Sequence, residues 1–346
     1  MPTTIKDVAR ACGVSAATVS YVLNDSRTVR PQTRERILDA VRSLDYHPSA
    51  VARGLSRKRM DTLGVVFPAS RAIASPITSS YYAPLLDGIL EVARRHRQNV
   101  TLFQTRKDDS VRRRLAAYRD GRCDGLLLLG AATTDPAVDA LAAASLPFVV
   151  ISSRSDDPRI CRVDVDNEAS TRAMTQHLLA LGHRRIAAVM PPPEQGTYVG
   201  QRIAGWRAAL AEAGLAPDAR DLLQVQQEPG SADALADSVL SWLAETRPTA
   251  LLCLRDLEAF RVLEALAARG VRVPEQISVV GFDDRLEAAR TSPPLTTVRQ
   301  PLRDKGVAAA EMLLALIAGD TPPGQIRLLP TEIVVRQSAG PPPLRM

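Results

Sequence analysis

The chain has 346 residues, of which 45% are hydrophobic and 24% are charged, so it is long enough for two or three domains with sizeable cores. No basic stub followed by an apolar run opens it, and no stretch approaches the roughly 18 apolar residues that span a bilayer. A disulfide framework and a zinc site are not indicated, because the cysteines are scattered without a CxxC spacing, at Cys12, Cys123, Cys161 and Cys253. We therefore expect a protein of the reducing cytoplasm, without a metal and without a membrane partner.

Positive charge is concentrated at the start of the chain. Residues 1–60 carry eleven Lys/Arg and five Asp/Glu, a net charge of +6, which equals that of the whole chain. The other 286 residues balance, with 33 basic and 33 acidic side chains. A charge excess confined to one small module is typical of a polyanion partner, since a generally basic protein would spread it. The alternative is a solvated basic surface.

The stretch from Thr4 to Asn24 predicts a helix-turn-helix. Thr4 is followed three positions later by Asp7, a capping signature that begins a helix. Small residues and a turn glycine at 11–13 then precede Ser15, which can cap a second helix. Two short helices at a tight turn suit DNA reading, but the spacing alone also fits an ordinary helical hairpin.

The second helix is predicted to have one buried and one outward face. Val14, Val19 and Val22 can pack on the first helix. The outward positions are then Ala16, Ala17, Ser20 and Tyr21. In a helix-turn-helix this N-terminal half lies in the major groove, where small side chains let the backbone approach the bases.

A third helix and a basic segment follow. Pro31 is tolerated in a first helical turn, and one helical face is marked by Ile37, Leu38, Val41 and Leu44. Tyr46-His47-Pro48 breaks the chain before Ser49, which can cap the segment AVARGL. That segment is too short to be a stable helix alone. With the following SRKRMD it is either a DNA-binding element or a plain basic linker.

From Thr62 onward, short apolar runs alternate with amphipathic helices. The candidate strands are LGVVF, NVTLF, GLLLLG, PFVVIS, RIAAVM, ALLCL and ISVVGF. Several are apolar throughout, as strands buried on both faces require, so the fold class is α/β with parallel sheets. The units are too numerous for one doubly wound sheet of typical size. Ligands of such sheets bind at the carboxyl ends of the strands.

Enzymatic motifs are missing from the sequence. It contains no GxGxxG after a strand, no P-loop and no GxSxG nucleophile elbow. The histidines are His47, His96, His177 and His183, and a structural role is the default interpretation of His183. We therefore expect a binding protein without a cofactor. A sugar-binding protein of a transporter is the strongest alternative, but it would need an export signal and no basic N-terminal module.

The chain resembles the lactose-repressor family of bacterial transcription regulators, with a headpiece most similar to the purine-repressor branch. The N-terminal motifs are TIKDVA, GVS, TVS, VLN, TRERI and LDYHPSAVARGL, and those of the core are VDVDN, LLALGHRRIA, RIAGWRAAL, ISVVGFDD and PPLTTVRQPL. This resemblance covers nearly the whole chain. It implies a homodimeric, allosteric regulator, by expectation a repressor. Its partners would be a pseudo-palindromic double-stranded DNA operator and a small-molecule effector.

The resemblance also implies a domain organisation. Residues 1–48 would form the headpiece and 49–60 a hinge helix and linker. The core would have two lobes like those of periplasmic binding proteins, with an effector cleft between them. Its lobes would be 61–160 with 295–325, and 161–294 with 326–340. The tail PPPLRM cannot form a coiled coil, so a dimer without a tetramerising helix is expected.

The family likeness assigns DNA contacts to two segments. Those of the helix-turn-helix are Thr4, Ser15, Ala16, Ala17, Thr18, Ser20, Tyr21 and Asn24. Within this set Ala16, Ala17 and Tyr21 would face the bases, and Tyr21 alone offers both a ring and a hydroxyl for sequence readout. In the hinge segment Arg53 would hold a phosphate and Leu55 would wedge a base step open in the minor groove.

Effector contacts are implied for the cleft. The family positions are Tyr81, Tyr82, Ser152, Arg202, Arg255, Phe282, Asp283 and Gln300. Arg202 and Asp283 would bind polar groups, and a tyrosine ring could stack on a flat ligand. Loop packing is the alternative for the two tyrosines, and a core position is the alternative for Phe282.

Arg255 departs from the neutral amide that sugar-binding members often have, so its charge needs a partner. It could pair with Asp283, or it could join Arg202 in a site for a carboxylate or phosphate. A third option is a surface position near Asp256 or Glu258. The first two options favour an anionic or otherwise non-sugar effector.

Overall fold

A computed structural model covers the chain. It describes residues 3–23, 28–47, 59–68, 78–104, 111–130, 135–144, 146–152, 157–191, 198–225 and 232–343. By contacts the chain separates into two units, 1–62 with 121–124 and the remainder. We call them the headpiece unit and the core unit.

The described residues of the headpiece unit form the helices α1 (Ile5–Ala11), α2 (Ala16–Leu23) and α3 (Pro31–Ser43). The predicted capping signature forms, because the Asp7 carboxylate accepts the backbone N–H of Thr4 at 3.0 Å and its hydroxyl at 2.6 Å. The predicted valines and Ile37 form the small core, with Val8, Val19 and Ile37 fully buried. The helix-turn-helix is therefore built as the sequence indicates.

The core unit alternates strands and helices. Its helices are α4 (Tyr82–Arg95), α5 (Val111–Tyr118), α6 (Pro136–Ala143), α7 (Asn167–Ala180), α8 (Tyr198–Glu212), α9 (Ala232–Thr246), α10 (Asp256–Ala268) and α11 (Leu302–Ala318), with 3₁₀ turns at Ala219–Asp221 and Leu286–Ala289. Its strands are β1 (Thr62–Phe67), β2 (Asn99–Gln104), β3 (Gly125–Leu129), β4 (Phe148–Ile151), β5 (Cys161–Val165), β6 (Ile186–Met190), β7 (Leu222–Gln224), β8 (Ala250–Cys253), β9 (Ser278–Asp283), β10 (Thr296–Arg299), β11 (Ile326–Leu329) and β12 (Glu332–Val334).

These strands form two sheets, which define two lobes. In the described part of the chain, the sheet of lobe 1 has the order β11-β5-β4-β3-β1-β2 and that of lobe 2 the order β12-β10-β9-β8-β6-β7. The pairs from β11 to β1 are parallel, and so are those from β10 to β7, whereas β12 runs antiparallel to β10. Strands β1, β3, β4, β8 and β9 are buried along their whole length, as their apolar sequences predict.

The chain crosses between the lobes three times, but at other residues than the sequence-based boundaries. Strand β5 pairs with β4 in lobe 1, so the sequence-based assignment of 161–165 to lobe 2 is wrong. Strand β10 pairs with β9 in lobe 2, so the assignment of 296–299 to lobe 1 is also wrong. Strand β11 pairs with β5 in lobe 1, although the sequence-based boundaries place 326–329 in lobe 2. Hydropathy marks a strand but not its neighbour, because pairing is decided by contacts distant in sequence.

Two glycines allow a close helix contact in lobe 1. A Cβ on Gly88 of α4 would overlap the carbonyl oxygen of Arg303, and a Cβ on Gly306 of α11 would overlap that of Leu85. The two helices therefore approach backbone to backbone. In lobe 2, Gly205 of α8 lies in the same way against the carbonyl oxygen of Glu168 in α7.

This contact gives a stability prediction. Gly88→Ala should lower the free energy of unfolding by about 1 to 3 kcal/mol, because two backbones must separate to admit the methyl group. Urea unfolding at fixed protein concentration measures it. Gly200→Ala is the matched control: Gly200 lies in α8 with open space around its Cβ position, so it should be neutral or stabilising by up to about 1 kcal/mol. Equal effects of the two substitutions would contradict the packing.

Among the described residues, no helix is long and apolar enough to cross a membrane. In the same described part of the chain, no three or more His, Cys, Asp or Glu side chains are grouped so that they could hold a metal ion.

Candidate functional site

The headpiece unit exposes two of the four side chains that are predicted to face outward from α2, Ala17 and Tyr21. Ser15 caps α2, since its Oγ accepts the backbone N–H of Thr18 at 3.1 Å. Ala17 is exposed, and Tyr21 is 55% exposed. Ala16 is half-buried and packs against the headpiece core, so it does not lie fully outward as expected.

Other predicted DNA contacts lie around this face. Thr4 is exposed, and Thr18 and Ser20 are half-buried. Exposed cations of the headpiece that could meet phosphates are Lys6, Arg10, Arg30, Arg36 and Arg42. Asn24, Arg53 and Leu55 lie outside the described residues, as does most of the predicted hinge helix.

In the core unit, polar side chains of both lobes meet at the carboxyl ends of the strands. Ser152 follows β4, Asp164 lies near the end of β5, and Asp283 ends β9. Gln300 follows β10. This is the position at which open α/β sheets bind ligands, so the structure brings the predicted effector residues of both lobes to one place.

The guanidinium group of Arg202 is fixed by hydrogen bonds and by two aromatic rings. It is buried in α8, its Nε donates to Asn167 Oδ1 at 2.9 Å, and its Nη1 donates to the carbonyl oxygen of Leu254. Its guanidinium carbon lies 3.4 Å from the ring centroid of Phe282 and 4.5 Å from that of Tyr198. Phe282 is thus both a core residue and a cation–π partner. The guanidinium is fixed before any ligand arrives.

Asp283 carries the acceptor function of the site. Its Oδ1 lies 3.7 Å from Arg202 Nη2 and accepts Gln300 Nε2 at 2.7 Å. Burial raises the pKa of this carboxyl, while Arg202 and Arg285 oppose the rise. Its backbone φ of 129° is outside the region that L-residues normally adopt, so the surrounding contacts hold the residue in a strained conformation.

The two predicted tyrosines occupy lobe 1. Tyr81 donates its hydroxyl to Ser152 Oγ at 2.8 Å. Its ring packs edge to face on Tyr82 with centroids 5.1 Å apart, and Tyr82 packs in the same way on Phe67 at 5.6 Å. Burial raises the pKa of both hydroxyls, so they remain protonated donors at neutral pH. The tyrosines combine packing with a polar edge and do not form a parallel stacking pair.

Arg255 is close enough to Asp283 to interact with it electrostatically, but its ion-pair partner is another carboxylate. It pairs with Glu258, one turn along α10, with its Nε 2.8 Å from Glu258 Oε2. The partner is the one expected for a surface position, yet Glu258 is 2% exposed and Arg255 is half-buried. Glu258 therefore balances the charge of Arg255 inside lobe 2, and the Asp283 carboxylate also interacts favourably with it.

Several site residues were missed in the sequence. Lys305 is fully buried in α11 and donates to Ser152, Asp164 and Gln300. It occupies the buried stripe of that helix with Leu302, Ala309 and Leu313, so a lysine at an apolar position was the available signal.

A contact between the lobes was also missed. Arg285 of lobe 2 donates from Nε to Ser80 Oγ at 3.0 Å and from Nη2 to Ser79 Oγ at 3.1 Å, just before α4 of lobe 1. No sequence pattern indicates this pairing, because the residues are about 200 positions apart. His183, by contrast, has its default structural role: its ring nitrogens each lie 2.9 Å from an oxygen, of Thr249 and of Gly340.

A small basic helix-turn-helix unit, together with a two-lobed core that has a polar site between its sheets, defines a ligand-controlled DNA-binding regulator. Residues 4–49 match the model of the lacI family of bacterial regulatory proteins, and 175–339 match a periplasmic binding protein-like domain. The PurR transcriptional repressor of Aliivibrio fischeri (strain MJ11) is 32% identical over 97% of this chain and 98% of its own. Catabolite control protein A of Priestia megaterium is 32% identical over 98% and 99%.

Solved structures agree with these relatives. The lac repressor dimer bound to operator and the anti-inducer ONPF is 29% identical, covers 98% of this chain and 100% of its own, and has a TM-score of 0.80. The regulator CelR in complex with cellobiose is 30% identical over 97% and 99%, with a TM-score of 0.73. The chain belongs to the LacI family of bacterial transcription regulators. It is a DNA-binding transcription regulator, and the transporter alternative is set aside.

The lobe 2 side of the site gives a pH prediction. Burial, with a further contribution from the Asp283 carboxylate, raises the pKa of Asp256 to about 7. Asp256 accepts Thr297 Oγ1 at 2.6 Å and the backbone N–H of Arg285 at 2.8 Å, and Asp284 is also close. Because the folded-state pKa lies above the unfolded value, folding takes up a proton between the two. This contribution to stability is therefore gained as pH falls through about 7.

As the pH falls from about 8 to about 6, we expect the thermal stability of Asp256→Asn to rise less than that of the parent. Thermal unfolding followed by circular dichroism across this range measures the difference. Asp237→Asn removes an acidic group that is 70% exposed, and its pH profile should follow that of the parent. Superimposable profiles for all three proteins would show that Asp256 is ionised normally.

Proposed function

We propose that the chain is a dimeric repressor whose headpieces read a pseudo-palindromic operator. The half-sites should lie about one helical turn apart, near 10 base pairs. Ala17 and Tyr21 are the proposed base-reading residues, supported by the exposure of both side chains on the outward face of α2. Ser15 caps α2 through the backbone N–H of Thr18. Thr18 and Ser20 are the proposed contacts to the DNA backbone. Asn24, Arg53 and Leu55 remain proposed contacts by family resemblance.

Sequence preference should depend mainly on Tyr21. Tyr21→Ala should flatten the preference at one base pair per half-site, worth about 1 to 3 kcal/mol, and leave nonspecific binding nearly intact. Tyr21→Phe is the matched variant: it keeps the ring for a thymine methyl and loses the hydroxyl hydrogen bond. Affinity selection from a randomised duplex library measures all three proteins. Unchanged preferences in the alanine variant would refute the assignment of Tyr21.

We further propose that the effector binds at the site between the lobes, against Tyr81, Arg202 and Asp283, and is a neutral molecule rich in hydrogen-bonding groups. The supporting observation is that three cations of the site each have a carboxylate partner: Arg202 faces Asp283, Lys305 pairs with Asp164, and Arg255 pairs with Glu258. The fourth, Arg285, donates to the hydroxyls of Ser79 and Ser80. An anionic ligand that bound Arg202, Lys305 or Arg255 would have to break a charge pair, whereas hydroxyls or amides can exchange hydrogen bonds singly. This proposal replaces the anionic or otherwise non-sugar effector that Arg255 suggested in the sequence.

A ligand screen tests the effector class. Thermal-shift measurements would compare neutral mono- and disaccharides, including cellobiose, with nucleobases and with di- and tricarboxylic acids. We expect stabilisation from a neutral compound and its loss in Asp283→Asn, since that carboxylate would accept from the ligand. Asp237→Asn, on the outer surface of lobe 2, should bind like the parent. Stabilisation by carboxylic acids alone would contradict the proposal.

A further inference from the structure

Lys305 is a charged residue at a position where the helix pattern requires an apolar one. Its side chain is 0% exposed, and it lies one turn from Leu302 and one turn from Ala309 on the buried stripe of α11. Burying an ammonium group is unfavourable unless it is paired and hydrogen-bonded. The surroundings of Lys305 meet both conditions, so its polar contacts are a specific feature of this chain's fold.

The ammonium group has three donors, and three acceptors surround it. Lys305 Nζ lies 2.7 Å from Ser152 Oγ, 2.9 Å from Asp164 Oδ1 and 2.9 Å from Gln300 Oε1. Ser152 and Asp164 belong to lobe 1, and Gln300 stands at the second crossover between the lobes. No donor of the ammonium group is left over for a fourth partner.

This contact fixes the orientation of the Gln300 amide. Because an ammonium can only donate, the Gln300 oxygen must point to Lys305, and the amide nitrogen must point away from it. That nitrogen donates to Asp283 Oδ1 at 2.7 Å. Lys305 therefore determines which group Gln300 presents to the strained carboxylate of lobe 2.

The polar contacts of Asp283 lead back to Lys305. Asp283 forms an ion pair with Arg202 at 3.7 Å. Arg202 Nε donates to Asn167 Oδ1 at 2.9 Å, and Asn167 Nδ2 donates to Asp164 Oδ2 at 3.3 Å. Asp164 is the ion-pair partner of Lys305. We call this closed set the interlobe ring: Lys305, Gln300, Asp283, Arg202, Asn167 and Asp164. The ring includes residues at the first crossover, between β5 and α7, and at the second crossover, between β10 and α11.

We propose that Lys305 is the positioning residue that sets the relative orientation of the two lobes and couples it to the effector site. It ties two strand ends of lobe 1 to the carboxylate of lobe 2 through one amide. A ligand that donates a hydrogen bond to Asp283, or accepts one from Arg202, competes with the bond between Gln300 and Asp283. Through the Gln300 amide, Lys305 passes this change to lobe 1. The coupling rests on the proposed effector site, whereas the control of lobe orientation does not.

The experiment measures lobe orientation without effector or operator. Spin labels would be placed at Ala116→Cys in lobe 1 and Ala211→Cys in lobe 2, both exposed helix positions, in a Cys123→Ser background. The other cysteines are buried. Double electron–electron resonance on the full chain gives the distance between the two labels. Dilution with unlabelled chain ensures that a dimer carries one labelled protomer, so this distance lies within a protomer.

Two variants carry the test. Lys305→Met removes the ammonium at similar length but leaves the Asp164 carboxylate buried and unpaired, which alone can destabilise lobe 1. Lys305→Met with Asp164→Asn removes both charges and keeps the shape. The matched control is Arg114→Met with Asp135→Asn, which removes a largely buried pair inside lobe 1, with exposures of 19% and 22%.

We expect one narrow distance distribution in the parent and the control, and a second or broadened population in both Lys305 variants. Because the double variant restores charge balance, its thermal stability should recover while its distances stay altered. Parent-like distances in a folded double variant would overturn the proposal and reduce Lys305 to a core ion pair. Failure of both Lys305 variants to fold would also overturn it, since the pair would then serve lobe 1 itself. None of these outcomes depends on whether an effector binds between the lobes.

Discussion

The core depends on a buried ion pair, and every remaining hydrogen-bonding group of that pair needs a partner. Lys305 and Asp164 lie inside lobe 1, where two unpaired charges would be strongly destabilising. Their remaining hydrogen-bonding capacity is used by Ser152, Gln300 and Asn167. Since two of these residues lie at crossovers, satisfying the pair also joins the lobes. The hydrogen bonds around the ion pair and the relative arrangement of the two sheets therefore depend on each other.

The same constraint explains why the proposed effector site is formed in advance. Arg202 is held between two rings and by two hydrogen bonds, and Asp283 is held in a strained backbone conformation. Prior ordering lowers the entropy that a ligand must overcome on binding. Arg285 adds a contact between the lobes at the start of α4, next to the tyrosines. A ligand would meet fixed groups from both lobes, and so could change their orientation.

Local patterns predicted the fold well where one segment decides its own structure. The capping pair Thr4 and Asp7, the valine stripe of α2 and the apolar strands are examples. The partner of a strand depends on distant residues, and so β5 and β10 were assigned to the wrong lobe. Family resemblance gave the positions Arg202 and Asp283, but only the structure gave their contacts. Arg255 was misjudged because its partner lies one turn away on its own helix, and Lys305 was overlooked because its partners come from other elements.

The central claim is that a basic headpiece unit and a ligand-responsive core form one transcription regulator. In vivo mapping of bound DNA tests it most directly, with and without the metabolites handled by the genes nearest the bound sites. The account predicts a limited set of pseudo-palindromic sites whose occupancy changes with one of those metabolites. Occupancy spread along the chromosome without a shared sequence, or indifferent to every metabolite supplied, would contradict it.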